Sequence, residues 1–427
     1  MKSQRLIIEG GNALSGEIKV QGAKNSSLPI IAASLMCKGE TVLKNCPCLT
    51  DTYASCRILT HLGCTCRFEG NTLTIKPDGI NKTEIPDELM REMRSSIIYM
   101  GALLGRCGKC GLSFPGGCEL GPRPIDMHLS AMKKMGAKVN DEYGTIECTA
   151  EHGLKGTKII LKYPSVGTTE NIILAAVMAK GETIIMNAAR EPEIMDLAAF
   201  LNKCGGKIKG AGNSTIVIEG VNELFGCTHY IMPDRIAAAT YISAAASTNG
   251  EISIHGIDPA LCDSFMCVFE QMGCNIYVYD GCIYVNAKKP LKSVGKIITL
   301  PHPGFPTDAQ AIIMASLCKA NGISIFEETI FENRYRHVDS LVKMGADIKV
   351  IGKAAIITGV KKIYGAKVSA TDLRGGAAMA VAGLGAEGIT EITDVEHIDR
   401  GYENIEKVLT SMGGKITRAC LLYTSDA

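Results

Sequence analysis

The stretch Ala131-Met132-Lys133-Lys134-Met135-Gly136-Ala137-Lys138-Val139-Asn140 contains the phrase that decides the fold. It runs from an apolar residue through a glycine and a small residue into alternating polar and apolar positions. The same phrase recurs as Leu62-Gly63-Cys64, Cys204-Gly205-Gly206, Met272-Gly273-Cys274, Met344-Gly345-Ala346 and Met412-Gly413-Gly414. Successive glycines are 73, 69, 68, 72 and 68 residues apart, so the chain is six repeats of about 70 residues. Each phrase closes an amphipathic segment, as over Thr52–Leu62 and Ile405–Met412, and its glycine fits the residue just past a helix end. A short strand-like run follows, such as Lys207-Ile208-Lys209 or Asn275–Tyr279.

Each repeat also has an earlier, more apolar helix, read over Ser27–Cys37, Ser96–Leu104, Asn171–Ala179, Ala237–Ala246, Ala309–Leu317 and Gly376–Leu384. A strand comes after it, such as Glu40–Leu43 or Glu182–Ile185. The repeat therefore reads β-α-β-α-β-β. At this size it exceeds a solenoid unit, and three repeats per globular domain fit better. The 427 residues independently suggest two or three domains.

Composition narrows the function classes. Lys plus Arg number 45 against 44 Asp plus Glu, a formal charge of +1. The chain thus lacks the electrostatic footprint of a nucleic-acid binder. No apolar run approaches the roughly 20 residues of a membrane span. The opening Met1–Arg5 leads into a strand-like run and not into a signal-peptide core. Eighteen cysteines are scattered, many in apolar patterns (Cys37, Cys56, Cys267, Cys318), and read as small buried hydrophobes in a reducing cytosol. Cys107-x-x-Cys110 and the pairs Cys46/Cys48 and Cys64/Cys66 lack the four-ligand spacing of a structural zinc site, so no metal is expected.

The starts of the first helices carry Lys24-Asn25-Ser26, Arg94-Ser95-Ser96, Ser165-Val166-Gly167-Thr168, Asp234-Arg235, Thr307-Asp308 and Thr371-Asp372-Leu373-Arg374. The starts of the second helices offer Asp51, Arg123, Glu191, Asp258, Arg334 and Arg400. Helix N-termini present unpaired N–H groups and suit anions. Ser, Thr and Asp are also ordinary N-caps, which is the simpler reading of any one of them. Cations and acids at equivalent places of several repeats point instead to a cleft for a polyanionic small molecule.

Four stretches then carry a resemblance: Gly22-Ala23-Lys24-Asn25; Pro115-Gly116-Gly117-Cys118-Glu119-Leu120-Gly121-Pro122-Arg123-Pro124; Pro303-Gly304-Phe305-Pro306-Thr307-Asp308; and His397-Ile398-Asp399-Arg400-Gly401-Tyr402-Glu403. With Ala189–Ile194 and Phe331–Arg334 they closely resemble the UDP-N-acetylglucosamine 1-carboxyvinyltransferase family of the enolpyruvyl transferase (EPSP synthase) superfamily. The resemblance runs from about residue 4 to about 418. It implies a two-domain, inside-out α/β barrel with three repeats about a pseudo-threefold axis in each domain. It sets the domains at 22–232 and at 1–21 with 233–427. It also implies a soluble bacterial cytoplasmic enzyme, monomeric or weakly oligomeric, without metal or cofactor. Such an enzyme moves the enolpyruvyl group of phosphoenolpyruvate to the 3′-hydroxyl of UDP-N-acetylglucosamine through a tetrahedral intermediate.

The resemblance assigns Cys118 as proton donor and as the thiol of a covalent phosphoenolpyruvate adduct, on a mobile glycine-rich loop. It assigns Asp308 to the sugar hydroxyl, and Lys24, Arg123 and Arg400 to phosphoenolpyruvate. Asn25, Arg94, Arg123, Pro124, Ile125, Asp126, Met127, Ser165, Val166, Gly167 and Ile330 match nucleotide-sugar contacts, and Asp372 and Arg374 a further charged pair. Arg123 and Arg400 are expected to open second helices. Tyr163 stands where some relatives carry Lys, and Ala237 where Glu is common. The tail Ala419–Ala427 has no family counterpart and is left out of the fold. Two alternatives remain: the sister transferase acting on shikimate 3-phosphate, and a non-catalytic six-repeat protein such as a ring around DNA. A ring would need net positive charge on an inner face, against the +1 here, and a degenerate paralogue would have lost some of Lys24, Cys118, Arg123, Asp308 and Arg400, all of which are present.

Overall fold

All six phrase glycines adopt left-handed backbone, with φ between 91° and 105°. Each ends its helix in the same way. The glycine N–H donates three residues back, and the next N–H donates to the carbonyl five residues back, as in Gly136 to Lys133 (3.0 Å) and Ala137 to Met132 (3.0 Å). These are Schellman motifs, and the conformation excludes side chains with a Cβ at low cost. The repeat seen in the sequence is thus a repeated helix stop.

The structure is a computed structural model that describes residues 4–113, 125–142 and 144–420, and of Arg94 only the backbone. Among the described residues, six four-stranded sheets share one connectivity. In the third repeat, Lys158–Ile160 pairs in parallel with Glu182–Met186. That strand pairs antiparallel with Thr215–Glu219, which also pairs with the edge strand Lys207–Lys209. Only one face of each sheet is apolar: Thr183, Ile185, Ile216 and Ile218 are buried, while Glu182 and Glu219 face out.

The buried faces cover six helices: α1 (Lys24–Ser34), α2 (Tyr99–Cys107), α3 (Val166–Ala176), α4 (Arg235–Ser247), α5 (Thr307–Leu317) and α6 (Leu373–Gly385). Every residue of α4 is buried, as are Arg374 to Leu384 of α6. Helices apolar or small all round belong inside, which gives the inside-out arrangement of helices within and sheets without. Small residues bring the helices close. A Cβ on Gly101 of α2 would stand 2.3 Å from the Asn171 carbonyl oxygen of α3.

The described residues divide into two units, one of residues 22–113 with 125–142 and 144–232 and the other of residues 4–21 with 233–420, each with its own apolar core. They are called here the middle and the split unit. Strands from distant parts of the chain complete sheets within each. The first sheet of the middle unit takes its outer strand from Thr228–Tyr230, paired in parallel with Thr41–Lys44. In the split unit, Ser15–Lys19 pairs in parallel with Glu251–His255, and Gln4–Glu9 lies between Ile389–Thr393 and Lys415–Cys420.

Four expectations are corrected. The first helices start two to five residues earlier than read, except α2, which follows a 3-10 turn over Arg94–Ile98. Cys37 lies in a strand. Ala419 and Cys420, set aside with the tail, pair with Arg5 and Gln4 because the edge strand runs on to meet the full length of its neighbour. Cys267 is exposed on the outer face of helix Asp263–Gln271.

Candidate functional site

In the split unit, a carboxylate is held by two buried arginines. Asp308 is the second residue of α5, whose N-cap position is taken by Pro306. Freed from capping, Asp308 Oδ1 accepts from Arg334 Nη2 at 3.1 Å, and Oδ2 accepts from Arg374 Nη2 at 3.1 Å. Both guanidinium groups are buried, whereas the Asp308 side chain keeps 29% exposure. Arg374 also donates to the Tyr402 hydroxyl (3.1 Å), which shares a hydrogen bond with Thr240 (2.8 Å). Burial opposes the charge of Arg374, but Tyr402, Asp308 and Asp234 outweigh it and raise its pKa. This fork-on-carboxylate geometry fixes Asp308 in one orientation.

Asp372 caps α6 by accepting from the N–H groups of Arg374 and Gly375. Its carboxyl is held below the usual range: burial works the other way, but Arg334, these N–H groups and His337 prevail. Ile330 is tied to the same place by Glu328, whose Oε1 accepts from the N–H groups of Ile330 and Phe331 and whose Oε2 accepts from Thr307. Asp308, Ile330, Asp372 and Arg374 therefore gather on the α5 and α6 starts. Arg400 is a correction in position. It caps the C-terminus of the four-residue helix Glu396–Asp399, and the second helix begins only at Ile405. Arg334 likewise lies in a turn ahead of helix Val338–Lys343. In both repeats a turn intervenes where a continuous helix was read. The Gln21 amide steadies the Arg400 segment, donating to the Gly401 carbonyl (3.0 Å) and accepting from the Glu403 N–H (2.8 Å).

In the middle unit, Lys24 opens α1 and its Nζ lies 2.6 Å from Asp51 Oδ2, both side chains buried. Asp51 is in the first turn of helix Thr50–His61, so the two helix starts of the first repeat meet. Asn25 is exposed beside them. Arg94 stands in the 3-10 turn before α2. Ser165 caps α3, accepting from Thr168 N–H, with Val166 and Gly167 half-buried in its first turn.

Ile125, Asp126 and Met127 lead into helix Asp126–Lys134, and His128 joins them to α3. Its ring lies 3.5 Å from where a Gly167 Cβ would stand. Asn171 Nδ2 donates to His128 Nδ1 at 2.7 Å, and Asn171 Oδ1 accepts from Gly101 N–H. This leaves the imidazole proton on Nε2. Burial lowers the His128 pKa to about 4, against the pull of Asp126, so the ring is neutral at pH 7. The readings on Cys118, Arg123 and Pro124 fall outside the described residues.

Sequence reading missed His128, Tyr402, Glu328 and His337. His128 and Tyr402 had a local signal, the first following the singled-out Met127 directly and the second standing two residues after Arg400. Glu170 was also missed. It lies within α3, and burial, reinforced by Glu193 and Glu191, pushes its pKa well up. Among the described residues no group of three His, Cys, Asp or Glu side chains is placed to hold a metal ion. None of their helices is long and apolar enough to cross a membrane.

Comparison with known proteins adds an independent finding. Residues 8–409 match the family model of EPSP synthase (3-phosphoshikimate 1-carboxyvinyltransferase). A UDP-N-acetylglucosamine 1-carboxyvinyltransferase 2 of Caldanaerobacter subterraneus subsp. tengcongensis is 50% identical over 411 residues, covering 96% of this chain and 98% of the relative. A UDP-N-acetylglucosamine 1-carboxyvinyltransferase 1 of Symbiobacterium thermophilum is 46% identical over 97% of this chain and 95% of its own. Among solved structures, the enolpyruvyl transferase NikO of Streptomyces tendae superposes with a TM-score of 0.89 at 23% identity, covering 99% of this chain and all of that one. An EPSP synthase of Acinetobacter baumannii does so with a TM-score of 0.74 at 20% identity, over 98% and 100% of the two chains.

Proposed function

This chain belongs to the EPSP synthase family of enolpyruvyl transferases, and from that footing we infer that it is a UDP-N-acetylglucosamine 1-carboxyvinyltransferase. It transfers the enolpyruvyl group of phosphoenolpyruvate to the 3′-hydroxyl of UDP-N-acetylglucosamine and releases phosphate, a step of peptidoglycan synthesis. The observation that carries this choice of acceptor over shikimate 3-phosphate is the near-full-length identity to relatives of that name.

The mechanism we assign uses the residues that the resemblance singles out. Lys24, Arg123 and Arg400 bind the phosphate and carboxylate of phosphoenolpyruvate, the arginines through two-point contacts and the lysine as a point charge. Asn25, Arg94, the Arg123–Met127 stretch, the α3 start at Ser165–Gly167 and Ile330 bind the sugar nucleotide. Asp308 takes the proton of the 3′-hydroxyl as that oxygen bonds to C2, while Cys118 gives a proton to C3. The tetrahedral product then loses a C3 proton and its C2–phosphate bond breaks, leaving the enol ether and free phosphate. What supports Asp308 in this role is its double anchorage, which directs a partly exposed carboxylate while Arg334 and Arg374 hold both oxygens. Cys118 also forms the covalent phosphoenolpyruvate adduct. No metal or cofactor takes part, and the enzyme works in the bacterial cytoplasm as a monomer or weak oligomer.

The test is phosphate release from phosphoenolpyruvate with UDP-N-acetylglucosamine, with shikimate 3-phosphate, and with neither. Turnover only with the first is expected, and turnover only with the second overturns the reading. For Cys118, fosfomycin should leave an adduct on that thiol by mass spectrometry. Cys118→Ser should lose most activity, while Cys118→Asp keeps some and escapes the epoxide.

A further inference from the structure

Three of the six buried helices begin on a side chain that accepts from their own first turn: Ser165 for α3, Asp234 for α4 and Asp372 for α6. Helix α1, which carries Lys24 and Asn25, has Ala23 at that position and no side-chain cap. Its start is held from elsewhere. The Ala23 N–H donates to the Met232 carbonyl at 2.7 Å. The Met232 N–H donates to Asp196 Oδ2 at 3.1 Å, and Ser26 Oγ of α1 donates to the same oxygen at 2.5 Å. His229 Nε2 lies 2.9 Å from Asp196 Oδ1, and its ring stands edge-on to Phe200. One carboxylate on helix Pro192–Lys203 thereby joins the first turn of α1 to the strand Thr228–Tyr230, which closes the ring of the middle unit.

The circuit is almost dry. Ser26 is fully buried, and the side chains of His229 and Asp196 keep 10% and 11% exposure. Taking away the acceptor leaves three donors to find new partners in a confined space, which costs more than any one of the bonds contributes. The helix that suffers bears two of the residues assigned to substrate.

We propose that Asp196 is a positioning residue for the reaction: it sets the start of α1, and through it the placement of Asn25 and Lys24 against substrate. This rests on the functional reading above, in which Asn25 contacts the sugar nucleotide. Asp196 touches no substrate itself. Asparagine at 196 keeps one oxygen for Ser26 and Met232 and turns its amide to His229, whose ring accepts in the other tautomer. Alanine keeps none of this.

The experiment is a double-mutant cycle read by calorimetric titration of UDP-N-acetylglucosamine into the full chain without phosphoenolpyruvate. Asp196→Ala should weaken binding about tenfold and Asp196→Asn less than about threefold. In an Asn25→Ala background, Asp196→Ala should add less than about twofold, because the group it acts through is gone. A purely structural role predicts equal losses in both backgrounds, and that result overturns the proposal. If Asp196→Ala does not fold, Ser26→Ala enters the same cycle, since it removes one bond and leaves the carboxylate with two donors. Failure of the native chain to bind UDP-N-acetylglucosamine would instead sink the functional reading.

Discussion

At the helix starts of the split unit stand three aspartates, Asp234, Asp308 and Asp372, with Arg334 and Arg374 buried beside them. At those of the middle unit stand Lys24, Arg94 and Ser165, with no aspartate at a buried-helix start. The backbone plan is the same in both, and so is the supply of unpaired N–H groups. The difference lies in which residue takes the cap. Asp234 and Asp372 are consumed by their own helices. Pro306 takes that place in α5 and releases Asp308 for chemistry. The middle unit fills its starts with cations, hydroxyls and amides, which suit phosphate-rich ligands. One scaffold thus presents a fixed carboxylate in one unit and cations, hydroxyls and amides in the other.

The largest expected effect tests that division directly. Asp308→Ala should lower phosphate release by about two to four orders of magnitude, the range of a lost general base. The melting temperature should fall as well, because the buried Arg334 and Arg374 guanidinium groups lose a shared partner, so turnover is compared at a temperature where the variant is folded. A variant within tenfold of native turnover would show that the split unit holds no essential base.

The second test uses what the units share. Each has near its helix starts a histidine whose pKa burial lowers, His128 in the middle unit and His337 in the split one. Burial lowers both pKa values from 6.5 to about 4. The unfolded chain binds protons as pH drops below 6.5, while the folded chain does not until about 4. Stability is therefore full above pH 6.5 and declines as pH falls toward 4, by up to roughly 3 kcal/mol per histidine. Thermal melts between pH 4 and 7.5 should show this slope, and His128→Gln or His337→Gln should each remove about half of it. The variants should differ at pH 7.5. His128 accepts from Asn171, whereas no side chain among the described residues bonds either ring nitrogen of His337, whose polar neighbour is the Arg334 backbone. His128→Gln should then cost more, by about 1 kcal/mol. Equal costs would mean that the Asn171 bond contributes nothing.

The sequence exposed local devices and hid remote ones. The six Schellman glycines stand in windows of a few residues, so their spacing revealed the repeat before any contact was known. The helix starts at Lys24, Ser165, Asp308 and Asp372 were readable for the same reason. Thr228–Tyr230 was not, because it pairs with Thr41–Lys44 almost two hundred residues away and is too short to announce itself. Asp196 looks like one polar residue on an amphipathic helix until α1 is folded against it. Tyr402 stands in a quoted stretch, yet its bond to Arg374 depends on how two elements pack. Arg400 was misplaced by a few residues because a short helix and a turn precede the periodic segment.

The smallest expected effect concerns the opposite ends of the same helices. In the split unit, Lys319 follows α5, and its ammonium donates to the carbonyls of Ser247 (3.3 Å) and Gly385 (2.9 Å), the last residues of α4 and α6. One cation serves the negative ends of two neighbouring helices. The middle unit has only a weaker counterpart, Arg106 Nη1 at 3.4 Å from the Met36 carbonyl just beyond α1. Burial pulls the Lys319 pKa down, with Glu387 opposing, so part of what the charge gains from the helix ends is spent on desolvation. Lys319→Met, which keeps the stem, should therefore cost about 1–2 kcal/mol in denaturant unfolding, and Arg106→Met less than about 1 kcal/mol. Neither should change turnover, since both lie at the helix ends away from the substrate starts. A larger loss from Arg106→Met than from Lys319→Met would reverse the comparison and place the better-fastened helix ends in the middle unit.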